Sequence, residues 1–343
     1  MPLTPKTLAI RVAAAAVFLA AVMAVCLVIG SESVSPADAL HGPQRNGQSN
    51  IAYEIIVNIR LPRVLLGAII GAALAAAGCV FQAILRNPLA DPYILGVSSG
   101  AGLGTLAAVL LGWTWTLFGM SAMMLTAFAG AIGTTWLVWL VGKAAGRANI
   151  TGLLLAGVVV NAFFSSVIMF LTSIARAHQM EMTMFWLMGN IAQMQQVEVV
   201  AAAGLVVAAG IAVLLRQGRS LNLLSFGADE AAALGLSVPR VCFIAFAVSA
   251  LITSVAVCLG GLVGFVGLIV PHAVRLVAGP DHRQLIPVSA LVGAAFVVAA
   301  DTLARVVVAP AMLPVGVVTA MVGGPFFLIL LVRYTRNLHW GVK

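Results

Sequence analysis

The sequence is short of charge. Only 8% of its 343 residues are Asp, Glu, Lys or Arg, whereas a soluble domain carries roughly 25%. That scarcity excludes a water-exposed globule. With 62% hydrophobic residues and a mean hydropathy of +1.12, most of the chain belongs in lipid. Cysteine is scarce too. Cys26, Cys79, Cys242 and Cys258 stand singly in or beside apolar runs. No C-x-x-C pair exists for metal or redox chemistry, so they read as small packing residues. No G-x-x-x-x-G-K-[ST] loop is present, which excludes a Walker-type nucleotide site. H-E-x-x-H and G-x-S-x-G are missing as well. No acidic pair interrupts an apolar run, and Asp301, at the end of one, comes nearest. A secondary transporter usually hides ionisable groups or broken helices at mid-membrane. This scarcity counts against that alternative, an ion-coupled carrier, and against an intramembrane enzyme, which would need a catalytic constellation. The net charge of +8 does not indicate nucleic acid, because the eighteen basic residues are scattered singly with no aromatic-basic patch.

What is present is a series of long apolar runs. A spanning helix needs about 20 residues, so the chain has room for about ten. Spans are expected at 12–30, 64–85, 94–111, 117–141, 152–174, 197–215, 241–259, 262–270, 285–300 and 315–332. The first is too long for a signal-peptide core of about 7–15 residues and reads as a retained helix. Residues 31–58 read as an external loop with a short helix near 51–58. Residues 175–196, rich in methionine, read as a loop with a short interfacial helix. Gly260 and Gly261 break the seventh span, and Pro271 ends the short eighth, since proline supplies no amide donor.

Orientation follows from the basic residues. With the N-terminus in the cytoplasm and alternating sides, Lys6, Arg11, Arg86, Lys143, Arg147, Arg216, Arg219, Arg240, Arg275, Arg283, Arg333, Arg336 and Lys343 fall inside. Arg45, Arg60, Arg63, Arg176 and Arg305 fall outside. Thirteen against five satisfies the positive-inside rule. Both termini are then cytoplasmic and the span count is even. Small residues recur at four-residue spacing, at Gly67 and Gly71, at Gly96, Gly100 and Gly104, and at Gly260 and Gly264. Such spacing lets helix backbones approach closely in lipid.

The remaining information lies in polar clusters at span ends. Outside are Ile59-Arg60-Leu61-Pro62-Arg63 and Asp301-Thr302-Leu303-Ala304-Arg305. Arginines there snorkel to the interface or grip carboxylates of an acidic partner. Inside, residues 221–236 carry apolar side chains in a polar loop, which suits either a helical hairpin or burial against a partner. At the external mouth lies His178-Gln179-Met180-Glu181-Met182-Thr183-Met184. Histidine and methionine ligate haem iron, and flexible methionines also pack a mouth that must open.

These clusters carry a resemblance. Arg60-Leu61-Pro62-Arg63, Arg86-Asn87-Pro88-Leu89-Ala90-Asp91-Pro92 with Gly96-Val97-Ser98-Ser99-Gly100-Ala101-Gly102, and Phe185-Trp186-Leu187-Met188-Gly189 occur in order. So do Gly264-Phe265-Val266-Gly267-Leu268-Ile269-Val270-Pro271-His272, Asp281-His282-Arg283, Leu313-Pro314-Val315-Gly316-Val317-Val318-Thr319 and Gly323-Gly324-Pro325-Phe326-Phe327. Together they resemble the permease family of ABC importers for iron-siderophores, haem and cobalamin, over nearly the whole chain after the first helix. The resemblance implies an all-α integral membrane protein with the type II ABC importer permease fold, a single domain over residues 1–343 in the bacterial cytoplasmic (inner) membrane. It implies a homodimer, two cytoplasmic ATPase subunits and a periplasmic substrate-binding protein. It implies no catalytic residues, no metal and no cofactor on this chain, with ATP and Mg on the ATPase subunits. By residue, it places binding-protein docking on Arg60, Arg63 and Arg305, and a cytoplasmic gate on Asn87, Leu89 and Thr151. ATPase coupling falls in the 216–240 loop, on Leu224, Gly227, Asp229, Glu230 and Gly235. Pathway lining falls on Asn161, Met184, Trp186, Met188, Val315, Val318 and Thr319. The scaffold serves several chelates, so iron-siderophore, haem and cobalamin all remain open.

Overall fold

The computed structural model describes residues 4–45, 48–144, 150–191 and 196–339, with side chains except at 45, 48, 150, 151 and from 330 onward. Besides short helical turns at Pro36–Ala39 and Pro92–Leu95, thirteen helices organise the described chain: α1 Pro5–Val28, α2 Ile51–Ile84, α3 Val97–Leu110, α4 Ala122–Ala144, α5 Ile150–Ile174, α6 Ala177–Leu187, α7 Val197–Arg216, α8 Gly218–Leu224, α9 Ala228–Ala233, α10 Val238–Gly260, α11 Val266–Ala278, α12 His282–Val306 and α13 Val315–His339. Seven of them are long and apolar enough to cross a membrane, and three shorter apolar helices join them: α3, α11 and the stretch Val315–Ile329 of α13.

Caps set several boundaries. Thr4 and Thr7 form a reciprocal capping box and Pro5 opens α1, where a missing amide costs nothing. Asp281 caps α12 by accepting from the Arg283 amide. The loop after α1 is shorter than the sequence suggested. Asn50 caps α2 while its amide donates to the carbonyls of Asp38 and Gly42. From there one continuous helix runs through a π-wound turn, Glu54–Arg60, into the bundle. Arg60 and Arg63 therefore belong to a helix and not to a loop end.

Contacts orient the helices. Arg11 of α1 donates to the Ala278 carbonyl and to Gln284 near the start of α12, and Cys26 packs with Val298 near its end. These two helices run parallel. Arg63 meets Asp301, Gly71 abuts Gly293, and Cys79 donates to the Leu285 carbonyl, so α2 runs antiparallel to α12. Buried alanines and glycines of α2 line this contact, which lets the backbones close up. Gly100 and Gly104 of α3 likewise abut Gly130 and Thr126 of α4. The third small-residue pair is a correction. Gly260 ends α10 and Gly264 lies in the following loop, so they do not share a helix face.

Two further expectations change. The eighth span does not occupy residues 262–270. It starts at Val266 and passes through Pro271 to Ala278. Proline there leaves the Gly267 carbonyl without its helical donor. Gln82 Nε2 supplies one instead, at 3.2 Å, and also reaches the Leu268 carbonyl at 3.3 Å. The Gln82 carbonyl oxygen in turn accepts from Arg275 at 3.0 Å. The second concerns the stretch 175–196, where the short helix α6 packs against the bundle. Gln179 near its start donates to the Val109 carbonyl at the end of α3, while Leu187 at its end lies against Gly102. The helix dips into the bundle, burying Thr183 and Trp186.

Candidate functional site: a junction of broken helices between two polar ends

The dip of α6 brings separate stretches of sequence to one point. A Cβ on Gly261 would strike the Trp186 carbonyl. One on Gly189 would strike the Leu262 carbonyl, and one on Gly316 the carbonyls of both Met188 and Leu262. The end of α6, residues 261–265 and the start of α13 thus touch backbone to backbone, and only glycine fits at Gly189 and Gly316. Gly260 faces Ile70, nine residues into α2 from Leu61, or about 14 Å along it. Irregular backbone at such depth persists only when protein or a water-filled path satisfies it. Tyr93 does this for Val263. Its hydroxyl accepts from the Val263 amide at 3.0 Å and donates to the Val263 carbonyl at 3.2 Å. Tyr93 was not singled out from the sequence. It follows directly on the Asn87–Pro92 turn, so the turn and the junction are mechanically joined.

That turn is where the gate was expected. The Asn87 side-chain oxygen accepts from the Leu89 amide at 2.9 Å, an Asx turn that holds the Pro88 corner. Leu89 is exposed. Thr151 lies in the first turn of α5, and its side chain is outside the described residues. Among the pathway residues, Met184 and Met188 are exposed, and Asn161 and Val318 are half-buried. Trp186, Val315 and Thr319 are buried in this chain.

At one end of the bundle four charges converge. Arg63 grips Asp301 through Nε and Nη2, at 2.9 and 2.8 Å. Arg305 approaches the same carboxylate at 3.3 Å and donates to Thr302. Arg60 lies at the same end of the bundle. Its guanidinium donates to the carbonyls of Leu27, Val28 and Glu32 and so caps the end of α1. Its side chain is buried. Arg63, with a side chain 12% exposed, is the most accessible of the three.

At the opposite end α8 is tied to the base of α12. Asn222 donates to Asp281 and its oxygen accepts from the His282 amide and ring, all at 2.8 Å. Arg283 pairs with Asp281 at 2.6 Å. The Arg283 guanidinium, aided by Asn222, holds the Asp281 carboxyl down at about 2. Of the expected coupling residues, Leu224 is buried, Asp229 and Glu230 are exposed, and Gly227 and Gly235 bound α9 with positive φ. Phe226 and Leu234, apolar residues of the 221–236 cluster, stand 79% and 69% exposed beside them.

Comparison with known proteins agrees with this architecture. The chain is 45% identical over 293 residues to the cobalamin import system permease protein BtuC of Halobacterium salinarum, covering 85% of this chain and 77% of that one. It is 38% identical over 314 residues to the hemin transport system permease protein HmuU of Yersinia pestis, covering 91% and 93%. A solved metal-chelate type ABC transporter in an inward-facing conformation superposes with a TM-score of 0.82 at 31% identity, over 96% of this chain and all of that one. The FecCD transport family matches residues 17–333, and this multi-pass membrane protein belongs to that family.

Proposed function

We propose that this chain is the permease subunit of an ATP-driven importer that moves a metal chelate, an iron-siderophore, haem or cobalamin, from periplasm to cytoplasm. The family match over residues 17–333 carries the reading. ATP hydrolysis then resides on partner subunits. The Asp281 end faces the cytoplasm with both termini, and the Arg63 end faces the periplasm of a bacterial inner-membrane complex. Two copies pair around a central path.

Two surfaces serve the partners. Phe226 and Leu234 expose large apolar side chains next to Asp229 and Glu230, which suits burial against an ATPase subunit. The tie from Asn222 to Asp281 carries movement of that surface into α12. Arg63 and Arg305 share one carboxylate, so the opposite end keeps excess positive charge for an acidic face of a binding protein. Arg60 adds to the field without making the contact. Between the ends, the Tyr93–Val263 link couples the Asn87–Leu89 turn to the junction. The path opens on one side at a time as ATP shifts the population between states.

The test is assembly. Replacing Phe226 and Leu234 together by Ser should abolish copurification with the ATPase subunits while the chain still inserts. Undiminished copurification would remove the coupling assignment.

A further inference from the structure

The exposed side of α6 has a chemical character that a gate alone does not require. Residues 178, 181, 182 and 185 fall at i, i+3, i+4 and i+7, one face of a helix. They are His178, Glu181, Met182 and Phe185, and all four are exposed and line one cavity of about 240 Å³ with Met123, Trp186 and Asn190. Thr183 turns into the protein instead. The face starts where Gln179 is pinned to the end of α3 and leads down to the junction.

The ligand count restricts what this face can hold. Among the described residues, no group of three or more His, Cys, Asp or Glu side chains is gathered that could cage a bare cation. His178 offers one imidazole. A single protein ligand suits a metal whose other positions are already filled by its own macrocycle, with one axial position exchangeable. Imidazole is a common axial ligand to such metals. Phe185 supplies a ring for the flat apolar macrocycle to lie against. The Met182 thioether is polarisable and adaptable, and Glu181 favours a metal centre of net positive charge. Pockets that enclose a ligand run from about 300 Å³ upward, so this cavity takes one face of the macrocycle and leaves the rest in the mouth.

We infer that the His178–Glu181–Met182–Phe185 face of α6 is an entry subsite that receives a metal-centred tetrapyrrole through its open axial position. The His178 imidazole forms the coordinate bond, and the water occupying that position leaves to solvent. No electron is transferred. The subsite deepens the reading of this chain as a metal-chelate permease, but its test needs neither ATP nor transport, so the two can fail separately.

The experiment is an optical titration of the full chain in lipid nanodiscs with hemin, with aquocobalamin, and with a hexadentate ferric trihydroxamate that has no exchangeable position. Hemin or aquocobalamin should show a band shift typical of imidazole ligation, and whichever responds identifies the macrocycle. His178→Ala should weaken that binding at least tenfold, while His41→Ala leaves it unchanged. His178→Met should retain binding with a displaced band, which a merely structural role would not produce. The inference is overturned if neither macrocycle shifts, if empty nanodiscs give the same shift (partition into lipid only), if His178→Ala binds as the unaltered chain does, or if the trihydroxamate binds through His178.

Discussion

Replacing Tyr93 by Phe removes one oxygen and leaves the ring in place. In the structure that oxygen is both the acceptor for the Val263 amide and the donor to the Val263 carbonyl. Val263 is buried, in a segment that belongs to no helix, so neither group has a helical partner to fall back on. A buried polar group left unsatisfied costs about 1–3 kcal/mol. Two such groups on one residue share whatever relaxation the loop allows, so Tyr93→Phe should destabilise the junction by about 2–4 kcal/mol. Even the lower end changes a local equilibrium by a factor of about 30. Hydrogen exchange in nanodiscs reads this directly. The Val263 amide should exchange roughly 30-fold faster in the variant, while amides in the middle of α10 keep their protection. Because Tyr93 links the Asn87–Leu89 turn, the proposed gate, to the junction, ATP-dependent opening should also become less tightly coupled to transport. Unchanged exchange at Val263 would refute the reasoning, since it would mean that the hydroxyl satisfies nothing.

Other perturbations test the same logic elsewhere. Asp301 has a side chain only 3% exposed between Arg63 and Arg305, so Asp301→Asn should destabilise the chain by about 3 kcal/mol in detergent unfolding. Replacing all three by apolar residues of similar size should restore near-normal stability. Gln82→Ala should cost about 1–3 kcal/mol by orphaning the Gly267 carbonyl. Adding Pro271→Ala should recover part of that, because the new amide can take the carbonyl Gln82 no longer serves, and strictly additive losses would contradict the account. Asp281 has its pKa lowered from 3.8 to about 2. Its contribution is present above about pH 4 and is lost as pH falls toward 2. Unfolding curves of the unaltered chain and of Asp281→Asn should therefore differ at neutral pH and converge below that window.

Much of the fold was legible because hydropathy reports lipid exposure, and lengths and charges report crossings. The residues that departed from expectation share a physical cause. Hydropathy carries no depth, so the Met-rich face of α6 reads the same whether it lies on the membrane or dips into the bundle. Pro271 reads as a helix end because its missing donor is local, whereas the replacement from Gln82 lies far away in sequence. Arg60 reads as exposed because charge usually is, yet two carbonyls at the end of α1 and one in the loop after it were there to receive it. The stretches around Trp186, Gly264 and Val315 were each recognisable, but their meeting at one junction is a property of tertiary structure. Tyr93 left no signal, since a single tyrosine beside a turn is ordinary until its partner is seen.

The central claim is that this chain provides a gated path whose driving energy comes from partner ATPases. Uptake into proteoliposomes measures it most directly, using the purified chain with and without its ATPase and binding-protein partners. Accumulation of hemin, aquocobalamin or a ferric siderophore should require both partners and ATP, and should persist when ion and proton gradients are collapsed. Accumulation by the chain alone, driven by a gradient in the absence of ATP, would contradict the account and establish the ion-coupled carrier instead.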